Sequence, residues 1–236
     1  MNPIELARNA KTRQKKHIFP IVVYAILWLN IATFALEVLA PNSLIFIRSF
    51  AAIPFNLTHN IVLPLPSPPI PALTIITSMF IHASSWHLFF NMLFLLVFGP
   101  TVERVCGHRR FIVLYLLSGI LSEVVLLAFG INSIVAEMGA SGAVAGILGA
   151  YVISFPHTKI NAIVPVGCLP IFLRLPAIFV IGIWILVEIL YGTGVFIEHG
   201  ANQPSSLSHI AHIAGFCVGI VLIRFLSKPP QTQPSL

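Results

Sequence analysis

The chain has 236 residues, of which 57% are hydrophobic and only 8% are charged, and its formal net charge is +6. A soluble domain carries roughly 25% charged residues, so the composition excludes a soluble globular protein and predicts a polytopic membrane protein. The length suits one helical bundle without a sizeable domain outside the membrane. The basic residues lie at the ends of apolar segments, so the positive charge gives no support for nucleic-acid binding.

In chain order, the sequence predicts six membrane-spanning helices that form a core over residues 18–226. A polar, basic tail (residues 1–17) precedes the first span, which is longer than the apolar region of a signal peptide and is therefore not cleaved. A Pro- and Gln-rich tail (residues 227–236) is predicted to be disordered. The predicted spans are Ile18–Leu39, Ser84–Val102, Phe111–Gly130, Gly139–Phe155, Leu175–Tyr191 and Leu207–Leu226.

The longest predicted loop covers residues 40–83 and mixes prolines with apolar patches. It is too apolar for a solvated linker and too broken for a span. Irregular backbone at membrane depth must be buried in protein or line a water-filled cavity. We therefore expect this loop to pack on the bundle and to lie partly in the membrane interface.

The distribution of basic residues predicts the orientation. All Lys and Arg residues except Arg48 precede the first span, lie in alternate loops or close the sixth span. By the positive-inside rule, both termini are cytoplasmic in a multi-pass protein of the cell membrane, expected to be a prokaryotic inner or plasma membrane. Ser141 and His212 then lie near the non-cytoplasmic ends of their helices, at the same depth.

Ser141 and His212 are the strongest candidates for chemistry, because polar groups inside spans are costly and usually mark a site. All seven acidic residues are Glu, so a Ser-His-Asp triad is excluded and a serine–histidine pair remains. Ser141 lies near a helix N-terminus, where free backbone N–H groups can stabilise an oxyanion. The alternative is that Ser141 is one more small residue in a packing face.

That packing face has a counterpart in the last span. Gly142 and Gly146 form one GxxxG motif, and Gly215 and Gly219 form a second motif after His212. Small residues at these spacings let helices approach closely. If the two faces dock, His212 comes within reach of Ser141.

His87 and Asn91 lie four residues apart, so they share one face of the second span and both can donate hydrogen bonds. Their alternative role is to join neighbouring helices as polar contacts.

Two further groups of polar residues have open roles. His209 and His212 could bind a metal, but a zinc site needs a third ligand and the sequence has no HExxH motif. We therefore predict no metal and no cofactor. Glu123 and Glu188 are intramembrane carboxylates without an evident basic partner, and we expect protonated, hydrogen-bonded side chains. His82 is expected to face away from His87 and to be structural.

Three segments together resemble the rhomboid intramembrane serine proteases, in their six-span prokaryotic form, over Thr77 to about Gly219. They are HASSWHLFFN, ending at Asn91, GASG around Ser141 and AHIAG around His212. The chain departs from the family in two ways: the first loop lacks a Trp-Arg pair, and Ala145 replaces an aromatic residue that packs on the catalytic histidine in some members.

The resemblance implies a six-helix, all-α bundle and a serine endopeptidase with a Ser141–His212 dyad. It implies that His87 and Asn91 stabilise the oxyanion and that the substrates are transmembrane segments of other proteins in the lipid bilayer. Helix packing is then expected to orient His212. The physiological substrate and the oligomeric state do not follow from it.

Two other classes of function stay open at this point. An inactive relative that captures membrane segments would not need both Ser141 and His212. A transporter would have paired repeats and broken helices at mid-bilayer, which the sequence does not show.

Overall fold

A computed structural model describes residues 19–61, 68, 70–166, 169–193 and 206–227. The predicted N-terminal tail (residues 1–17) lies outside the described residues, and so does the predicted C-terminal tail except for Ser227. The elements in chain order are α1 (Ile21–Leu39), α2 (Ser43–Phe50), α3 (Pro54–Thr58), 3-10 turn Pro71–Leu73, α4 (Thr74–Thr77), 3-10 turn Ser78–Phe80, α5 (Ser85–Cys106), α6 (His108–Phe129), α7 (Ser141–Ser154), β1 (Lys159–Val166), β2 (Leu169–Pro176), α8 (Ala177–Gly192) and α9 (Ser206–Leu226).

The predicted helical membrane bundle is confirmed, and each of the six predicted spans corresponds to one helix. Helices α1, α5, α6 and α9 are long and apolar enough to cross a membrane, whereas α7 and α8 are shorter apolar helices. The 14 residues of α7 are about 21 Å long at 1.5 Å per residue, less than the hydrocarbon thickness of a bilayer. A helix of this length is too short to reach both membrane surfaces, as expected for a short span.

The first helix is held at its N-terminus by a buried carboxylate from α5. Glu103 accepts hydrogen bonds from the backbone N–H groups of Val22 at 3.0 Å and Val23 at 2.9 Å. These N–H groups have no partner within the helix, and the positive end of the helix dipole favours the negative charge. His108 also contacts Glu103, at 2.5 Å, so this carboxylate joins α1, α5 and α6.

The described part of the long first loop consists mainly of short helices. Its buried residues include Ser49, Ala52 and Met79. Ala52 forms an antiparallel bridge with Glu137, through hydrogen bonds of 2.9 and 2.8 Å. The loop is thus anchored, without a Trp-Arg pair, to the segment that leads into α7. Its prolines at positions 64, 66 and 69 lie outside the described residues.

Helices α7 and α9 pack backbone against backbone through their glycines. A Cβ added to Gly215 would overlap the carbonyl group of Gly142, and one added to Gly219 would overlap that of Gly146. The two GxxxG faces therefore dock as predicted, and any larger residue at these positions would push the helices apart.

An antiparallel hairpin connects α7 to α8 and was not predicted. Strands β1 and β2 pair from Lys159 opposite Pro176 to Val166 opposite Leu169. Pro165 lies opposite Pro170, which a two-stranded ribbon tolerates because each strand is an edge strand. The predicted span from Leu175 accordingly begins two residues later, at Ala177.

Candidate active site

Ser141 is the first residue of α7, and the segment before it is fixed by backbone contacts. Gly139 donates its N–H to the carbonyl oxygen of Ser78 at 2.9 Å and has a φ of +119°, in a region that favours glycine. Ala140 is completely buried. The Ser141 hydroxyl is therefore held at a helix N-terminus, beside N–H groups that lack intrahelical acceptors.

His212 reaches Ser141 from α9. Its Nε2 lies 2.8 Å from the Ser141 Oγ, within hydrogen-bond distance. The contact follows from the docked glycines, since Gly215 lies three residues after His212 and packs on Gly142. With Nε2 unprotonated, His212 can accept the serine proton, which is the arrangement required of a nucleophile and its general base.

His87 and Asn91 lie together on α5 and face the backbone that precedes Ser141. A Cβ on Gly139 would lie 2.6 Å from the His87 Cε1 and 3.5 Å from the Asn91 Nδ2, so a side chain there would collide with His87. The Asn91 Nδ2 is buried and has no hydrogen-bond partner among the described residues. A buried donor without an acceptor is costly, which is unusual outside a binding site.

The four predicted site residues line one cavity of about 900 Å³. Its wall also includes aromatic residues and two glutamates: Trp86, Phe90, Phe94, Trp184, Glu123 and Glu137. A large apolar cavity with a few converging polar groups is the usual form of a binding site.

Glu188 is the principal correction to the sequence-based expectation. It was expected to have no basic partner, but its Oε2 lies 2.8 Å from the His212 Nδ1 and 2.7 Å from the His209 Nδ1. The expectation that helix packing alone orients His212 is therefore wrong. The signal was present in the sequence: in the predicted orientation the fifth span runs outward, which places Glu188 near its outer end, at the predicted depth of both histidines.

The His212 ring also has an aromatic neighbour that sequence reasoning missed. Ala145 is fully buried and supplies no ring. Instead, the Trp184 ring lies 6.3 Å from that of His212, between ring centroids. Trp184 and Glu188 are four residues apart and share one face of α8, so one helix provides both contacts.

Two other residues differ from expectation. The His82 ring does not face away from His87, because the two rings meet edge to face at 5.2 Å. Burial, and to a smaller extent the charge of His87, lowers the pKa of His82 to about 3, which keeps it neutral. Glu123 was expected to be hydrogen-bonded, but its buried Oε1 has no partner among the described residues.

His209, His212 and Glu188 also offer the third ligand that the sequence analysis lacked. Their potential ligand atoms lie within 4.8 Å of one another. The hydrogen bonds from both histidines to Glu188 nevertheless satisfy this cluster without an ion, while the His212 Nε2 is engaged by Ser141.

We therefore predict that chelators leave activity unchanged. If the site cleaves peptides through Ser141 and His212, EDTA and phenanthroline should not alter the cleavage rate, because both histidines are already hydrogen-bonded to Glu188. An isocoumarin or a fluorophosphonate should block it. The measurement is the cleavage rate before and after treatment, with a mock-dialysed sample as control. Activity that is lost on chelation and restored by zinc would contradict this prediction.

Comparison with known proteins identifies the architecture. A family model described as the Rhomboid domain matches residues 71–229. The chain is 29% identical over 216 residues to "Rhomboid protein 1, mitochondrial" of Saccharomyces cerevisiae, covering 90% of this chain and 55% of that protein. It is 27% identical to "Rhomboid-like protease 3" of Toxoplasma gondii, covering 68% and 54% respectively.

A bacterial relative also matches. The chain is 30% identical over 156 residues to "Rhomboid protease GluP" of Bacillus subtilis, covering 66% of this chain and 26% of that protein. The chain thus spans about half the length, or less, of these relatives.

Proposed function

The chain belongs to the rhomboid family, and from this we propose that it is an intramembrane serine endopeptidase that uses Ser141 and His212 as a catalytic pair. The main evidence for the proposal is the 2.8 Å contact between the Ser141 Oγ and the His212 Nε2. The contact lies at the wall of a cavity large enough for a peptide segment. Relatives with "protease" in their names support the same reaction class.

In the proposed reaction, His212 Nε2 takes the proton of Ser141 as Oγ attacks the scissile carbonyl carbon. The C=O π electrons move onto the oxygen, which becomes an oxyanion. Collapse of this intermediate breaks the C–N bond, and His212 returns the proton to the leaving amine. Water, deprotonated by His212, then hydrolyses the acyl-enzyme in the same way.

The oxyanion is stabilised by donors that converge near Gly139. The Ser141 backbone N–H belongs to the N-terminus of α7, and the Asn91 Nδ2 is a buried donor without an internal acceptor. The His87 ring lies against Gly139 beside them. Preorganised donors of this kind act on the charge that develops in the transition state.

The proposed substrates are transmembrane helices with a locally unstable segment and small residues at the cleavage point. Trp86 and Phe90 support entry of the substrate from the surrounding lipid. Both residues line the cavity, and they are 69% and 52% exposed. An extended peptide needs hydrogen-bond partners in such a cavity, because the bilayer core has no water to bind its backbone N–H and C=O groups.

The catalytic core in this proposal is residues 18–226, with both termini cytoplasmic. Basic residues flank the cytoplasmic ends of the spans, among them Arg104, Arg109, Arg110 and Arg224, which supports the orientation. The proposed location is a prokaryotic cell membrane, in line with a relative from Bacillus subtilis, although the relative from Saccharomyces cerevisiae is named as mitochondrial. Ser141 and His212 then face the outer side, from which water reaches them.

The test of the proposed function uses the purified full-length protein in detergent. The protein should cleave a helical transmembrane peptide, and a fluorophosphonate should label Ser141, as located by mass spectrometry of the modified peptide. Heat-unfolded protein is the control for non-specific labelling. Binding of the peptide without cleavage or labelling would instead favour an inactive relative that captures membrane segments.

The donors on α5 give a separate prediction. His87→Ala and Asn91→Ala should each lower kcat more than they change KM, because the negative charge exists only in the transition state. One lost donor costs about 10²–10³ in rate where it is not duplicated. The two side chains and the backbone N–H act together here, so each single effect should be milder. Asn91 lies one helical turn deeper, and its variant should keep more activity.

The control measurement for these variants is the melting temperature. A role as an inter-helix contact would lower the melting temperature and leave the rate per folded molecule unchanged. Both quantities are measured on the same preparations, and a pure loss of stability would remove His87 and Asn91 from the active site.

A further inference from the structure

Glu188 completes a chain of hydrogen bonds that begins at Ser141. The Ser141 Oγ contacts the His212 Nε2 at 2.8 Å, and the His212 Nδ1 contacts the Glu188 Oε2 at 2.8 Å. Two histidine nitrogens contact the same Glu188 oxygen, which favours an ionised carboxylate in place of the protonated group expected from the sequence. An ionised carboxylate only accepts hydrogen bonds, so the proton of a neutral His212 is then on Nδ1. Nε2 is then left as the acceptor that faces the serine.

The surroundings of Glu188 hold the carboxylate in this position. Its side chain is 9% exposed, and a buried carboxylate must be paired or hydrogen-bonded. His209 supplies the second donor to the same oxygen at 2.7 Å, and Tyr191 stacks on the His209 ring at 5.1 Å between centroids. A Cβ placed on Gly192 would lie 3.4 Å from the His209 Cβ, so α8 and α9 are in van der Waals contact beside this site.

We propose that Glu188 is a positioning residue that fixes the tautomer and the ring orientation of His212 and stabilises the imidazolium formed when Ser141 is deprotonated. The site thus works as a Ser141–His212–Glu188 triad in a chain that contains no Asp. His209 acts on Glu188 and not on the serine. This inference rests on the proposed peptidase function, in which His212 is the base.

The charge of the carboxylate matters in such an arrangement, beyond its shape. A glutamine at position 188 would keep the size of the side chain, but it would replace the negative charge with an amide. Its NH₂ group can donate to Nδ1 and favour the wrong tautomer. The corresponding change from carboxylate to amide in a soluble serine protease lowers kcat about 10⁴-fold with the geometry intact.

The test compares Glu188→Gln and Glu188→Asp with the parent protein in detergent. We expect Glu188→Gln to lower kcat and the fluorophosphonate labelling rate of Ser141 by about 10²–10⁴, with KM changed by less than about threefold. Glu188→Asp keeps the charge and should retain more activity than Glu188→Gln. A packing role predicts the reverse order, because glutamine is isosteric and aspartate leaves a gap. Glu188→Gln within about threefold of the parent kcat would overturn the inference.

Glu103→Gln is the matched control, since it makes the same change at a buried carboxylate that binds the N-terminus of α1. It should lower the melting temperature and leave the rate per folded molecule unchanged. A similar loss of specific rate in Glu103→Gln would show that the effect at Glu188 is general and would overturn the inference.

A second measurement on the unsubstituted protein does not depend on how the variants fold. Nitrogen-15 NMR of histidine-labelled protein, with His212 assigned by substitution, should show the proton on Nδ1 at neutral pH. Finding it on Nε2 overturns the inference even if the peptide is cleaved. Absence of cleavage and labelling in the parent protein would instead refute the peptidase function, while the tautomer would still report on the Glu188 contact.

Discussion

Replacing Ser141 with alanine should abolish cleavage and leave the bundle folded. The residue begins α7, and its side chain contributes a single hydroxyl that contacts the His212 Nε2. Its neighbours Ala140 and Gly142 provide the buried packing at this end of the helix. Loss of a catalytic serine lowers kcat by about 10⁶ in a soluble serine protease, and we expect a loss of this order here.

The measurement is single-turnover cleavage of a transmembrane peptide, with the melting temperature determined on the same sample. Ser154→Ala is the matched control, because Ser154 ends the same helix and its hydroxyl donates to the Ala150 carbonyl at 2.8 Å, away from the cavity. Ser154→Ala should cleave at the parent rate. A Ser141→Ala protein that retained about a tenth of the parent rate, far above what loss of a nucleophile allows, would refute the serine mechanism.

The six helices could be predicted from the sequence because the membrane imposes strong and simple constraints. Apolar runs of about 20 residues and the distribution of Lys and Arg are local signals. The contact between Ser141 and His212 could also be predicted, because paired GxxxG motifs on two spans indicate which helix faces meet. The resemblance to a known family added roles for His87 and Asn91.

The features that sequence reasoning missed depend on depth or on pairing between distant residues. Glu188 has no charged partner within its own span, and its contacts with His209 and His212 follow only when the spans are compared by their distance from the outer surface. The hairpin shows a second kind of omission. Strand Lys159–Val166 has four apolar β-branched residues, but strand Leu169–Pro176 has only one. The segment can therefore also be interpreted as a loop between spans.

The second large effect concerns the two histidines of α9. His212→Ala should be inactive, because His212 is the base that contacts the Ser141 hydroxyl among the described residues. Loss of the base costs about as much as loss of the nucleophile in a Ser-His unit, about 10⁶ in kcat. His209→Ala should keep measurable activity, since His209 contacts Glu188 and stacks on Tyr191 while His212 keeps its own bond to the carboxylate.

The pair provides its own control, because both substitutions remove a largely buried imidazole from one face of α9 and one hydrogen bond to Glu188. Any loss of stability caused by removing a buried side chain here should therefore lower the melting temperature of both variants. Only the His212 variant also loses the acceptor of the serine proton, so only it should lose fluorophosphonate labelling of Ser141. The reverse ranking, with His209→Ala inactive and His212→Ala active in the same assay, would assign the base to His209.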